Sequence, residues 1–539
     1  MVNYTRLADD RLDTDMGDYH MITAVTQRAV NKQLERLWKD PSNNLQTISI
    51  KTGDGTRQLL HATMGAPRVQ FQLTWPKNTR VIFFLEFITG NFFYVNISNL
   101  TASYPSLNNS TLAFEVDMDM SILTDPSTDS GIAKALKDRG LGDPGNYHIM
   151  QLFLDFTTAN LMNYRDKLTN LAFVSTPTSG SDLNEMKSQF ASHITKYLED
   201  IKFSPTNLGG HPTSIYNIPK WVKPAPASAA TLAPTDLKFQ CYPYLISSTA
   251  AKDDTLDDNM LLYLEMTKNA VLPDGPFDTS KNWVVPKGPT MYVDGAVALS
   301  RKIFLEDWLL PNLAVLNKHT YVSVTASNVI GRHADASWHF NNDQNNPNID
   351  YSFLPYEDNN GSRYWEFKEE SKEEAENHRI KIRPSSEILL EPGKAEVVIK
   401  GRSEADAWFE YTPKQGGESS NIWATMDWTI KIALSVDNSG KLKATVTTKP
   451  STGFPHIEKG RDEITPGGNS IRIWDGTQYD PQWSVQGELS ANSLTTLEAS
   501  LSTMFQSTWP FFFAGNDVFT FSGATFNNNL DLLLDLTYQ

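Results

Sequence analysis

Asp117-Met118-Asp119, preceded by Glu115, places three carboxylates on alternate positions of one short stretch, and paired carboxylates can share a divalent cation. The same spacing has a simpler source. Leu112, Phe114, Val116, Met118, Met120 and Ile122 alternate with Glu115, Asp117 and Asp119, so the acids read as the wet face of an amphipathic strand. His333, Asp335 and His339 in RHADASWH share strand parity and have the chemistry of ligands, or of a base oriented by a carboxylate. No third partner is identifiable, and a polar strand face or loop accounts for them. Cys241, between Gln240 and Tyr242, has no neighbour that would activate it and reads as an inert buried thiol. The phosphate-cradling glycine loop, the zinc-protease helix and the nucleophile elbow each need fixed residues at fixed spacing, and none occurs. No catalytic residue, metal ligand or cofactor is therefore assigned.

Composition narrows the partners. Against 47 Lys and Arg stand 63 Asp and Glu, a formal charge of −16 that repels phosphate backbones and anionic lipid surfaces at long range, so nucleic acid is not expected. A single cysteine excludes an internal disulfide framework and fits a reducing compartment. The first residues lack the basic start and apolar run of a secretory signal, and no stretch approaches the roughly 18 apolar residues of a transmembrane span. The expectation is a cytoplasmic protein. The sequons at Asn96, Asn99, Asn108, Asn109 and Asn360 then read as Asn-rich turns.

The elements that position these groups follow from hydrophobic period. Ile22, Val25, Ala29, Val30, Leu34 and Leu37 predict an amphipathic helix over 22–38, closed by Pro41. Strands follow from about Leu45 to Phe156, with Val81 to Val95 read as two strands turning at Thr89-Gly90-Asn91, and Met150, Leu152, Leu154 and Phe156 repeating the alternation. A second helix starts near Ser181, where Asp182 and Glu185 have capping-box spacing, and carries Met186, Phe190, Ile194, Tyr197 and Ile201. Residues 223–236, KPAPASAATLAPTD, suit a linker, which divides the chain into modules 1–222 and 237–539. Short strands near 239–245 and 260–266 lead to a third helical region over 295–316, apolar around most of its circumference and interrupted at Pro311. The charged run Glu366 to Arg379 reads as a solvated strand end and loop. Met426 to Val436 and Leu442 to Val446 form a hairpin about Asp437-Asn438-Ser439-Gly440. A last helix with Leu494, Leu497, Leu501, Met504 and Phe505 precedes a final strand of Leu532, Leu534, Leu536 and Tyr538.

The N-terminal residues Gly17, Tyr19, Val25, Val30, Asn31, Lys32 and Leu34, with Phe519, Phe521, Phe526-Asn527 and the alternating Leu530 to Tyr538, resemble both ends of accessory proteins encoded beside clostridial neurotoxins. Those belong to the tubular lipid-binding (TULIP) superfamily. The resemblance covers the two ends, and implies an α+β fold with long amphipathic helices wrapped by highly curved antiparallel sheets, plus a lipid-type groove. Candidate lining residues are Val30, Leu34, Met186, Phe190, Ile194, Ile303, Phe304, Trp308, Leu497, Leu501 and Phe505. The leading reading is non-catalytic binding of a lipid or other apolar small molecule. Its alternatives are an interaction scaffold or accessory protein of a toxin or secretion complex, and an enzyme without local motifs that confines an apolar substrate for cyclisation or isomerisation.

Overall fold

Met21–Thr26 is a strand, and its sequence MITAVT shows why. It lies inside a six-stranded sheet, antiparallel to Met260–Thr267 on one side and Gly295–Leu299 on the other, and all six residues are buried. A strand covered on both faces carries apolar residues at every position, so Ile22 and Val25 also satisfied helical spacing. The helix begins only at Gln27, where the Thr26 hydroxyl accepts the Ala29 N–H at 3.2 Å, and it ends at Lys39 with Arg36 and Lys39 in its last turn. Its Gln27 and Asn31, one turn apart, reach the strand Arg68–Phe71. Gln27 accepts the Phe71 N–H at 2.7 Å, while Asn31 accepts the Val69 N–H and donates to the Val69 carbonyl.

The computed structural model describes residues 4–41, 45–73, 79–123, 147–156, 159, 161, 164–175, 179–202, 214–221, 234–246, 251–278, 281–288, 290–320, 322–330, 333–340, 349–357, 363–375, 378–411, 418–436, 442–449, 456–461, 499 and 519–538. They form an α+β fold of mostly antiparallel sheets, one of them curled into a half-barrel, with few helices. Two compact units divide the chain: residues 1–300, 506–523 and 533–539 in the first, 301–505 and 524–532 in the second. Of the expected linker, 223–233 lies outside the described residues and Pro234 opens the strand Pro234–Tyr242.

In the first unit the six-stranded sheet runs in the order Pro234–Tyr242, Met260–Thr267, Met21–Thr26, Gly295–Leu299, Leu532–Tyr538, Phe519–Phe526. Ile22, Ala24, Leu262, Leu264, Ala296, Ala298, Phe277 and Trp283 share its core. A seven-stranded sheet runs Ser214–Trp221, Tyr147–Asp155, Ser110–Leu123, Arg80–Phe92, Gln58–Met64, Thr47–Lys51, with Arg68–Phe71 also on Arg80–Phe92. Thr89-Gly90-Asn91 does not turn; Arg80–Phe92 is one strand that passes straight through. Gly90, at φ 146°, abuts the Gln58–Met64 strand so closely that a Cβ would meet the His61 carbonyl and lie 2.7 Å from Ala62.

The helix Gly180–Lys202 appears as expected, with a different cap. Ser179 accepts the Asp182 N–H on its hydroxyl at 3.2 Å and the Leu183 N–H on its carbonyl at 3.0 Å, which frees Glu185 for contacts elsewhere.

In the second unit, an eight-stranded sheet is built on Leu354–Glu357, Arg363–Lys368, His378–Leu390, Glu396–Tyr411, Glu418–Val436 and Leu442–Lys449 in that order. The expected hairpin closes with Val436 opposite Leu442. The charged run begins on the expected strand end, Arg363–Lys368, and continues in a further strand instead of a loop: Ser371–Ala375 pairs with His378–Leu390, with Glu374 opposite Arg379. Charge along a short side strand discourages pairing with other chains. The third helical region is also corrected. Gly295–Leu299 is a buried strand, Lys302–Leu309 is a π-helical segment, and Leu310–Thr320 is an α-helix that runs through Pro311. Widening of the turn, seen in the Leu310 N–H bonded to the Leu305 carbonyl, lets Pro311 enter without an N–H, and Asn312 Nδ2 donates to the Trp308 carbonyl at 2.7 Å.

Candidate functional site

Arginine pairing accounts for the acidic triplet. Arg80 Nε binds Asp117 at 2.7 Å and its Nη1 lies 3.3 Å from Glu115, which Arg165 and Gln72 also contact. Burial alone would raise the Glu115 carboxyl; Gln72 and the two arginines outweigh it and hold it below its ordinary value. Cys241 is fully buried and burial, with Asp254 adding to it, pushes its thiol well above the usual range. His333, Asp335 and His339 stand on the strand His333–Phe340, opposite Ile330, Ser327 and Ser323.

The residues expected to line a groove divide into three groups. Val30 and Leu34 on the Gln27–Lys39 helix are buried, as are Met186, Phe190 and Ile194 on Gly180–Lys202. Phe190 sits among Phe87, Phe92 and Phe173, with ring centroids 5.8, 5.2 and 5.5 Å away, so side chains fill the space beneath it. Leu34, Tyr197, Met64, Phe83 and Leu85 line a small cavity of about 30 Å³. Ile303 and Phe304 are buried on the π-helical segment, where Phe304 contacts Trp308 and Phe526 at centroid distances of 5.8 and 6.0 Å; Trp308 is half-buried. Leu497, Leu501 and Phe505 lie outside the described residues.

Larger space opens next to that π-helical segment, within the second unit. Glu306, Leu310, Pro311, Ser352, Phe353, Pro355 and Trp365 line a pocket of about 300 Å³. A second, of about 230 Å³, shares Glu306, Pro355 and Trp365 with it and adds Arg301, Tyr356, Glu357 and Tyr364. Together they reach the size of small-molecule sites, roughly 300 to 1,000 Å³. The hairpin geometry sets the walls: Pro355 pairs with Trp365 and Tyr356 with Tyr364, whose rings meet at a 45° tilt with centroids 4.7 Å apart. Desolvation first, then the neighbouring Tyr356 and Glu366, holds the Tyr364 hydroxyl above its ordinary pKa. Arg301 is fixed by its N–H to Asp531 at 2.7 Å and by Nε to Glu306 at 3.0 Å.

The result is a groove with unlike ends. Leu310, Pro311 and Phe353 stand at one end beside Glu306 and Ser352, whereas Arg301, Glu357, Tyr356 and Tyr364 line the other. The sequence reading assigned none of its residues to a site, Pro311 entering only as a helix break, although the aromatic run of SFLPYEDNNGSRYWEF around Asn359-Asn360-Gly361 is a hairpin signal. Arg301 and Glu306 carry no such signal, because they join the tyrosines only through the tertiary fold.

Several motif residues at the two chain ends make packing and hydrogen-bond contacts within the first unit. Gly17 stands at φ 55°, which favours glycine. Tyr19 packs edge-on to Phe277, and Asn31 holds Val69. Lys32 binds Asp294 at 2.8 Å, and Asp294 in turn accepts the Tyr538 N–H at 2.9 Å. The Tyr538 hydroxyl closes this joint on Gln33.

No family model and no curated protein matches the chain. Among solved structures, a crystal structure of lipopolysaccharide binding protein aligns over 97% of this chain and 99% of that one, with 8% sequence identity and a TM-score of 0.29, a likeness too distant to carry function across.

Proposed function

We propose that this protein binds an amphipathic, lipid-like small molecule without transforming it, in the groove beside the π-helical segment of its second unit. The observation that carries this reading is the mixed lining of that groove, where Leu310, Pro311, Phe353 and Trp365 offer apolar surface next to Glu306, Ser352, Arg301, Glu357, Tyr356 and Tyr364. An alkyl chain against that apolar surface gains about 0.8 kcal/mol per buried CH₂. A head group at the Arg301 end meets donors and acceptors already held in place by Glu306 and Asp531. The reading agrees with the TULIP resemblance of the chain ends, but moves the ligand from beneath Phe190, where aromatic rings fill the space, to the pocket lined by Glu306.

Native mass spectrometry of the purified protein, with displacement of an apolar fluorescent dye, tests it. Pro355→Arg on the exposed Leu354–Glu357 strand fills the shared part of the groove and is expected to weaken uptake at least about tenfold with the melting temperature unchanged. Uptake that Pro355→Arg leaves intact would sink the proposal.

A further inference from the structure

Between Glu86 and Glu115 the sequence has no charged side chain, in a chain where one residue in five is charged. The middle of that stretch leaves the seven-stranded sheet as a separate hairpin of Tyr94–Asn96 and Thr101–Ser103. Its turn exposes Ile97 by 69% and Leu100 by 80%, and Tyr104 at its base by 56%. Leu100 sits at φ 55°, a backbone conformation leucine seldom adopts.

This finger is braced rather than loose. Glu185 accepts the Ile97 N–H at 3.2 Å and the Tyr94 hydroxyl at 3.4 Å, and Gln189 bonds both the N–H and the carbonyl of Val95. His193 Nε2 donates to the Phe93 carbonyl at 3.2 Å. Within the turn, Asn96 accepts the N–H groups of Ser98 and Asn99, and Asn99 accepts that of Thr101. The N–H groups of Ile97, Ser98, Asn99 and Thr101 are thereby satisfied, while its two aliphatic side chains are exposed.

We propose that this hairpin tip inserts into the surface of a net-neutral lipid bilayer. The order of chemistry along the finger matches the depth order of a membrane interface. Aliphatic Ile97 and Leu100 lead. Tyr104, four residues or roughly 13 Å behind Leu100 along the strand, packs on Phe93 at 5.6 Å, and the Arg57 guanidinium lies 4.8 Å over the Phe93 ring. Tyrosine and arginine are the side chains that settle at head-group level, and apolar side chains enter roughly 5 to 10 Å below it. The charge-free tip enters without stripping water from an ion, and the formal charge of −16 favours a zwitterionic surface over an anionic one. Glu185, the carboxylate nearest the turn, has its oxygens engaged by Ile97 and Tyr94. These residues are separate from the groove, so the two proposals fail independently.

The test is co-sedimentation of the full chain with phosphatidylcholine vesicles. Ile97→Ser with Leu100→Gly removes the apolar tip, and the glycine suits the φ of its position, so the fold is retained. Wild type is expected to partition onto the vesicles, and the double variant about tenfold less at an unchanged melting temperature. Leu100→Trp should shift its emission to the blue when vesicles are added. Failure of the wild type to partition, or equal partitioning by the double variant, overturns the proposal. So does wild-type self-association that the double variant abolishes, which would make a second copy of the chain the occupant.

Discussion

Glu265 is the residue whose chemistry the sequence concealed most completely. It occupies the strand Met260–Thr267 inside the six-stranded sheet, fully buried, with Met21 and Leu237 as its direct cross-strand partners. One carboxyl oxygen accepts the Thr23 hydroxyl at 3.1 Å, and the other has no hydrogen-bond partner among the described residues. Burial raises its pKa from 4.5 to about 8, against the smaller lowering by Thr23. Below pH 4.5 both folded and unfolded chains hold the proton. Between 4.5 and about 8 the unfolded chain releases it first, so stability falls by up to about 1.4 kcal/mol per pH unit, and above 8 the loss is complete. Glu265→Gln removes this dependence. Melting curves from pH 5 to 8.5 should show the variant gaining on wild type as pH rises, and parallel profiles would contradict the assignment. In the sequence, Glu265 reads as one polar break in MLLYLEMT, because nothing local reveals that both faces of that strand are covered. The groove residues were hidden for a related reason. Arg301, Glu306, Tyr356 and Tyr364 come from three segments with no fixed spacing, whereas the Asp117 face declared itself by strict alternation.

Elements were legible where one face is wet. The hairpin of Glu418–Val436 with Leu442–Lys449 and the helix Gly180–Lys202 each alternate or repeat at a single period, and both form. Residues 22–26 and Gly295–Leu299 satisfy helical spacing in the sequence because strands buried on both faces lose their period of two. Close packing between strands was invisible as well. Gly401 lies directly opposite Trp428 in the eight-stranded sheet, and a Cβ there would overlap the buried indole ring. Gly401→Ala must displace Trp428, with an expected cost of about 1 to 3 kcal/mol in guanidinium denaturation. Trp428→Leu makes room, so the same alanine should cost less in that background. Equal costs in the two backgrounds would show that the ring is not the obstacle.

At the scale of the whole molecule, the first unit is assembled from the two ends of the chain. Leu532–Tyr538 lies between Gly295–Leu299 and Phe519–Phe526, an interior place in the six-stranded sheet, and Leu533, Leu534 and Leu536 are buried there. Charge fixes it too. Asp535 binds Arg11 at 2.6 Å and Lys287 at 2.7 Å; burial alone would raise its carboxyl, yet these two cations hold it below its ordinary value. Asp294 accepts the Tyr538 N–H and binds Lys32 of the Gln27–Lys39 helix. Without this strand, Gly295–Leu299 loses one of its two neighbours and Arg11 loses its carboxylate, which leaves a buried cation unpaired at a cost of several kcal/mol. Contacts of such sequence separation also form late, because the loop they close spans most of the chain. Deletion of residues 533–539 is therefore expected to leave the first unit open to proteolysis over Met21–Thr26 and Met260–Thr267, while the eight-stranded sheet stays protected. Asp535→Asn keeps the strand's shape and removes its charge, and should lower the melting temperature without that cleavage. A truncated chain with native protection in both units would show that the last strand is an addition to a sheet that stands without it.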